Sequence, residues 1–228
     1  MTGVSAQKFD IEVAKAASIS ALLVHPPRAH ACFVLAHGAG AGMSHPFMET
    51  VATGLGGRGI ATLRYQFPFM EKGSKRPDPP ALAHAAVRAA VAEAGRRCPG
   101  LPLIAGGKSF GGRMTSQAQA KAPLAGVQGL AFLGFPLHPA GKPSSDRAGH
   151  LADIRIPMLF LQGTRDNLAD LGLLESVVAG LGPSATLHLV AEADHSFHVL
   201  ARSGRNDREV MDEILDAFAD WVGAMRQK

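Results

Sequence analysis

The sequence predicts an α/β domain in which a mostly parallel sheet is covered by helices on both faces, with no large cap. Three observations carry that expectation. From residue 31 onward, short runs that are apolar through their whole length alternate with helix-compatible stretches, the pattern of strands buried on both faces. A glycine-flanked serine follows one of those runs directly. The 228 residues suffice for one large core but not for a second substantial one, so residues 1–228 are expected to form a single domain.

Strand-like runs cover residues 9–13, 19–24, 31–36, 60–64, 101–105, 129–134, 158–162 and 186–190, the first two reading as an antiparallel edge. Helices are expected over 46–57, 80–98, 110–121, 168–181 and 207–225. The second has prolines at its first turn, Asp78 as a candidate cap, and Leu82, Ala86, Val87, Ala90, Val91 and Ala94 on one stripe. The last aligns Val210, Ile214, Phe218, Trp221 and Val222. Both stripes should pack on the sheet. Residues 66–79 and 135–153 are the longest irregular stretches, rich in Pro, Gly and charge. They are long enough to shape a pocket and too short for a separate cap domain.

A hydrophobic fraction of 46% against 18% charged residues describes a compact soluble globule. No apolar run approaches the roughly 20 residues that cross a bilayer, and the polar start lacks a signal layout, so a cytoplasmic protein with no membrane partner is expected. The net charge of +4 could suggest a nucleic-acid partner, but the 23 Lys and Arg residues are scattered and only Lys72, Lys75 and Arg76 cluster. With one Trp and one Tyr there is no stacking motif, so that cluster reads as a solvated loop and no nucleic acid is expected. Cys32 and Cys98 have neither metal-ligand spacing nor a disulfide framework and are expected to be buried or half-buried thiols.

The chemistry centres on Ser109, in Gly106-Gly107-Lys108-Ser109-Phe110-Gly111-Gly112. Raised on a tight strand-to-helix turn, such a serine needs Gly107 and Gly111 because side chains there would collide with neighbouring elements. The competing reading is an ordinary N-cap serine. A serine hydroxyl is a weak nucleophile and needs a neutral imidazole with a carboxylate to orient it. Asp166 and His195 follow the runs 158–162 and 186–190, where a parallel sheet collects its functional groups, and the order Ser, Asp, His suits this fold class. Asp170 or Asp153 could orient the histidine instead. His198 competes with His195 but fits the start of a helix, and Asp194 reads as a turn residue.

The turn His37-Gly38-Ala39-Gly40-Ala41-Gly42 follows the run 31–36, and its small residues let main-chain N–H groups approach an oxyanion. One donor is assigned to the N–H of Phe110 and the other to that of Ala39 or Gly40. His37 reads as a structural hydrogen-bonding residue of that turn. Lys108 and Arg113 invite an anion-binding reading, although Arg113 equally suits a helix residue tying down a loop. Gly107-Lys108-Ser109 also resembles the end of a phosphate-binding loop, but that motif needs a glycine where Pro102 stands. The ten histidines show no helix-spaced metal pair, and Arg64 stands where a dinucleotide site would place an acidic residue. Neither a metal nor an organic cofactor is expected.

These motifs, with Arg64-Tyr65-Gln66-Phe67-Pro68, Gly134-Phe135-Pro136-Leu137-His138, Gln162-Gly163-Thr164-Arg165-Asp166 and Asp194-His195-Ser196-Phe197, resemble the α/β-hydrolase superfamily. More narrowly the chain is similar to the small cap-less branch that includes dienelactone hydrolase-like bacterial proteins and testis-expressed protein 30. The resemblance spans most of the chain and implies an eight-stranded, mostly parallel sheet with a Ser109, Asp166, His195 triad. True dienelactone hydrolases use a cysteine nucleophile, whereas position 109 is serine, which favours ester or thioester chemistry on a small molecule. The expected activity is that of a serine hydrolase working through an acyl-enzyme. Its rival is a catalytically silent protein of the same fold acting as a binding or scaffold module. No feature of the chain speaks to its oligomeric state.

Overall fold

A computed structural model describes residues 5–13 and 17–226. Among them, β1 (Gln7–Val13), β2 (Ala17–Val24), β3 (Ala31–Ala36), β4 (Ile60–Tyr65), β5 (Leu103–Lys108), β6 (Val127–Leu133), β7 (Met158–Gly163) and β8 (Ala185–Val190) form one sheet in the order β1-β2-β4-β3-β5-β6-β7-β8. β1 pairs antiparallel with β2, and β2 antiparallel with β4, while all pairings from β4 to β8 are parallel. The expected antiparallel edge and parallel body are both present. The helices are α1 (Pro46–Gly57), α2 (Pro68–Glu71), α3 (Pro80–Arg97), α4 (Phe110–Lys121), α5 (Leu171–Leu181) and α6 (Asp207–Met225).

Residues of a strand alternate between faces, so an all-apolar strand feeds two cores at once. In β3, Cys32, Val34 and Ala36 join a cluster with α3, α4 and α5, whereas Ala31, Phe33 and Leu35 join a second cluster with α1 and α6. Val210, Ile214, Phe218 and Val222 of α6 lie in that second cluster, with the Phe218 ring 4.7 Å from that of Phe33. The helical stripes read from sequence therefore pack on the sheet, except that Leu82 of α3 is half-buried and joins neither cluster. Cys32 and Cys98 are both free and buried.

Several local expectations need correction. β5 starts at Leu103 instead of residue 101 and runs on to Lys108, because Pro102 has no N–H for the ladder and the two glycines continue it. A Cβ on Gly106 would stand 1.8 Å from the Ala131 carbonyl oxygen, so the strand fits against β6 at this position only without a side chain. α5 starts at Leu171, not residue 168, because Asp170 caps it by accepting from the Leu173 N–H at 3.0 Å. Asp78 does not cap α3; its Oδ2 accepts from the Phe69 N–H of α2 at 2.9 Å. The irregular stretches are also more ordered than expected, with α2 in one and a 3-10 segment, Asp146–Asp153, in the other.

Candidate active site

Ser109 sits between β5 and α4 with φ 50° and ψ −116°, a left-handed conformation that costs a non-glycine residue about 1–2 kcal/mol. Packing on both sides compels it. A Cβ on Gly107 would lie 2.2 Å from the Ala36 carbonyl oxygen, and one on Gly111 would lie 2.5 Å from that of His37. The turn is therefore clamped against β3, as the glycine pattern predicts. Ser109 occupies the N-cap position of α4, yet its side chain makes no capping hydrogen bond. Its Oγ lies 2.9 Å from His195 Nε2 instead.

His195 lies on the loop after β8, and its Nδ1 is 2.6 Å from Asp166 Oδ2. With Nδ1–H donating to the carboxylate, Nε2 is the acceptor for the serine hydroxyl. The Asp166 side chain is 0% exposed and accepts two further hydrogen bonds, from Gln162 Nε2 to Oδ2 at 2.6 Å and from the Leu168 N–H to Oδ1 at 2.8 Å. Asp166 thus caps its own turn and orients the imidazole at the same time. Asp170 is occupied at the start of α5, and Asp153 ends the 3-10 segment beside His150. Asp194 accepts from the N–H groups of Ser196 and His198 at 2.7 and 2.9 Å, the turn role read from sequence.

His198 is exposed, in irregular chain instead of at a helix start, and its Nδ1 lies 2.9 Å from Asp207 at the start of α6. It points to a different partner from His195.

The turn after β3 passes close to Ser109: a Cβ on Gly38 would lie 3.8 Å from the Ser109 Cβ. Ala39 and Gly40 line the same cavity as Ser109 and His195. Phe110 opens α4, so its N–H has no intrahelical acceptor and remains free for another. His37 is fully buried; its Nδ1–H donates to Gly38 O at 2.7 Å and its Nε2 accepts from the Phe67 N–H at 2.9 Å. Burial pushes its pKa down to about 4, consistent with a neutral ring that needs one nitrogen as donor and the other as acceptor.

Four supporting side chains carry roles that sequence reasoning did not assign. Gln162 holds Asp166. Gln66 Oε1 accepts from the Met43 N–H at 2.8 Å and Arg64 Nη1 donates to Met43 O at 3.1 Å, so β4 and the residue just after it anchor the far end of the glycine-rich turn. Lys108 Nζ donates to the main-chain carbonyl of His195. Burial lowers the Lys108 pKa to about 8, against the upward pull of Asp166 and Asp194. Polar residues at the carboxyl ends of otherwise apolar strands are the signal they share.

Two cavities meet at Ser109. One, of about 420 Å³, is lined by residues 38–41, Phe47, Lys108 and His195. The other, of about 450 Å³, is lined by Phe110, Arg113, Met114, Pro136 and Arg147 among others. Both long loops contribute to it, through Pro77 and Asp78 from one and Pro136, Pro139 and Arg147 from the other. A larger groove of about 640 Å³ between α1 and α6 contains none of the three residues Ser109, Asp166 and His195. No group of His, Cys, Asp and Glu suited to a metal ion occurs among the described residues. No helix among them is long and apolar enough to cross a membrane.

A family model described as an alpha/beta hydrolase domain matches residues 29–223. Among solved structures, a dienelactone hydrolase from Anabaena variabilis is 20% identical at a TM-score of 0.74, over 95% of this chain and 97% of its own. A Xanthomonas campestris protein described as an a/b serine hydrolase without lid is 18% identical at a TM-score of 0.72, over 95% of each chain. An esterase domain from a Rhodothermus marinus protein is 14% identical at a TM-score of 0.73, over 97% of this chain and 98% of its own. These likenesses show a shared fold.

Proposed function

The chain belongs to the alpha/beta hydrolase family, and we propose that it is a serine hydrolase cleaving carboxylic esters or thioesters through an acyl-enzyme. The observation that carries this reading is the continuous hydrogen-bonded line from Ser109 Oγ through His195 to Asp166, at 2.9 and 2.6 Å. It ends at a serine facing two cavities. The esterase and dienelactone hydrolase among the neighbours lend support to ester chemistry.

Ser109 Oγ attacks the acyl carbon as its proton passes to His195 Nε2. Asp166 holds the Nδ1–H tautomer and stabilises the imidazolium. The tetrahedral oxyanion receives main-chain N–H groups of Phe110 and of Ala39 or Gly40, each worth about 3 kcal/mol of barrier. The oxyanion collapses, the acyl–oxygen or acyl–sulfur bond breaks, and the departing alcohol or thiol takes the proton from Nε2. Water then gives a proton to His195 as it attacks the acyl-enzyme. The acid leaves and Ser109 recovers its hydrogen.

A fluorophosphonate probe should label the wild-type protein and not Ser109→Ala, and short-chain ester hydrolysis should vanish in that variant without loss of fold. Asp166→Asn should lower kcat by about 10⁴, the cost of a wrong imidazole tautomer, whereas Asp170→Asn should not. An unlabelled wild-type protein that hydrolyses no ester favours the silent scaffold, whereas full turnover in Ser109→Ala overturns the assignment of the nucleophile.

A further inference from the structure

The two cavities at Ser109 differ in chemistry. In the proposed reaction the departing group must lie within reach of His195 Nε2, which returns the proton to it. It therefore occupies the cavity that His195 lines. The second cavity lacks His195 and is left for the acyl part. Its wall is formed by Phe110 and Met114, and it carries Arg113 and Arg147.

Arg113 Nε is buried and has no hydrogen-bond partner among the described residues. Neither arginine forms an ion pair among the described residues. Asp78, the acidic residue of the lining, accepts from the Phe69 N–H through Oδ2 and forms no ion pair with either arginine. Burial first, and then the charge of Arg147, hold the Arg113 pKa below its ordinary value, so the two cations sense each other.

Arg147 is also held in position. Its 3-10 segment, Asp146–Asp153, is pinned to α4 where His150 Nε2 meets Ser116 Oγ at 2.7 Å, while that hydroxyl donates to Arg113 O at 2.9 Å. Arg113 and Arg147 line one cavity beside Phe110 and Met114, their like charges repel, and a bound oxyanion would offset that repulsion.

We infer that the second cavity receives a carboxylate at the far end of the acyl group, making Arg113 and Arg147 specificity determinants for monoesters or monothioesters of a dicarboxylic acid. The planar guanidinium fork matches a carboxylate in two parallel hydrogen bonds. This inference rests on the proposed role of Ser109, and the experiment separates the two.

Ethyl hydrogen adipate and ethyl hexanoate have acyl chains of equal length and differ in the terminal carboxylate. Their kcat/KM values are measured by pH-stat for wild type, Arg113→Gln, Arg147→Gln and the double variant, with thermal melts as a folding check. Wild type should prefer the hemiester by about tenfold or more, the worth of one charge-assisted hydrogen bond. Each substitution should cut that ratio, and the double variant should bring it to about one. In parallel, Ser109→Ala is titrated calorimetrically with adipate and with inorganic phosphate, and the same is done after adding both Arg substitutions. Adipate should bind only when the arginines are present, and more tightly than phosphate.

Ser109-dependent cleavage of both esters with no preference for the hemiester overturns this inference and leaves the hydrolase reading standing. No cleavage and no fluorophosphonate labelling overturn the hydrolase reading, and the adipate titration then decides the anion site alone. Tighter binding of phosphate than adipate, or adipate binding that survives loss of both arginines, overturns the carboxylate assignment.

Discussion

Gln162 donates through Nε2 to Asp166 Oδ2 at 2.6 Å, the same oxygen that His195 Nδ1 meets at 2.6 Å. Its Oε1 accepts from the Phe135 N–H at 2.8 Å, so one buried amide joins β7, the loop after β6 and the carboxylate. Gln162→Leu strips a donor from the carboxylate and leaves the Phe135 N–H unpaired. Stability should fall by about 1–3 kcal/mol. Because a loosened carboxylate orients the imidazole less well, kcat on a short-chain ester should fall by about tenfold while KM changes less than about twofold. An unchanged kcat in folded Gln162→Leu removes Gln162 from the support of the site.

The glycines near Ser109 divide by what surrounds them. A Cβ on Gly111 would lie 2.5 Å from a main-chain oxygen of β3's following residue, His37, whereas one on Gly40 would meet nothing within 4 Å. Gly111→Ala must push α4 off the sheet and should cost about 3 kcal/mol or more, if it folds at all. Gly40→Ala should stay within about 1 kcal/mol of wild type. Denaturant unfolding of the two variants checks the contrast, and equal stabilities would contradict the close packing described for the turn.

His37 links the site to acid stability. Its folded pKa of about 4 lies below the ordinary histidine value of about 6.5, so between those values the unfolded chain binds more protons. Stability from His37 is complete above about pH 6.5 and is lost as the pH falls toward 4, by up to about 3 kcal/mol. The physical cause is burial, which disfavours a charged ring, and a second ring proton would also confront the Phe67 N–H that now donates to Nε2. His150, also lowered to about 4, adds in the same direction. Urea unfolding at pH 7 and pH 5 should show a smaller loss in His37→Gln than in wild type; equal losses would mean His37 does not titrate in this way.

The strands, the helices and the faces they bury were legible in the sequence because they follow from local periodicity. Phe33 and Val34 must point to opposite faces of any strand, and the stripe from Val210 to Val222 can face a core only as a helix. The serine turn was legible for a related reason: the tight spacing of Gly107 and Gly111 around Ser109 states its own steric requirement. Element ends were harder to read, as β5 and α5 show, because the N–H that Pro102 lacks and the one hydrogen bond that Asp170 accepts are not registered by periodicity.

Its place after the strand 158–162 favours Asp166 as the partner of His195, with Asp170 and Asp153 as alternatives that chain position alone does not eliminate. Only the packing of β7 beside β8 brings Asp166 Oδ2 to Nδ1 and commits Asp170 to a helix end. Arg113 and Arg147 are separated by a strand and a loop, and nothing in their spacing pairs them. The sequence by itself determined the layers and the strained serine; tertiary structure decided the partners, because hydrogen bonds and charges act over a few ångströms of space whatever their distance along the chain.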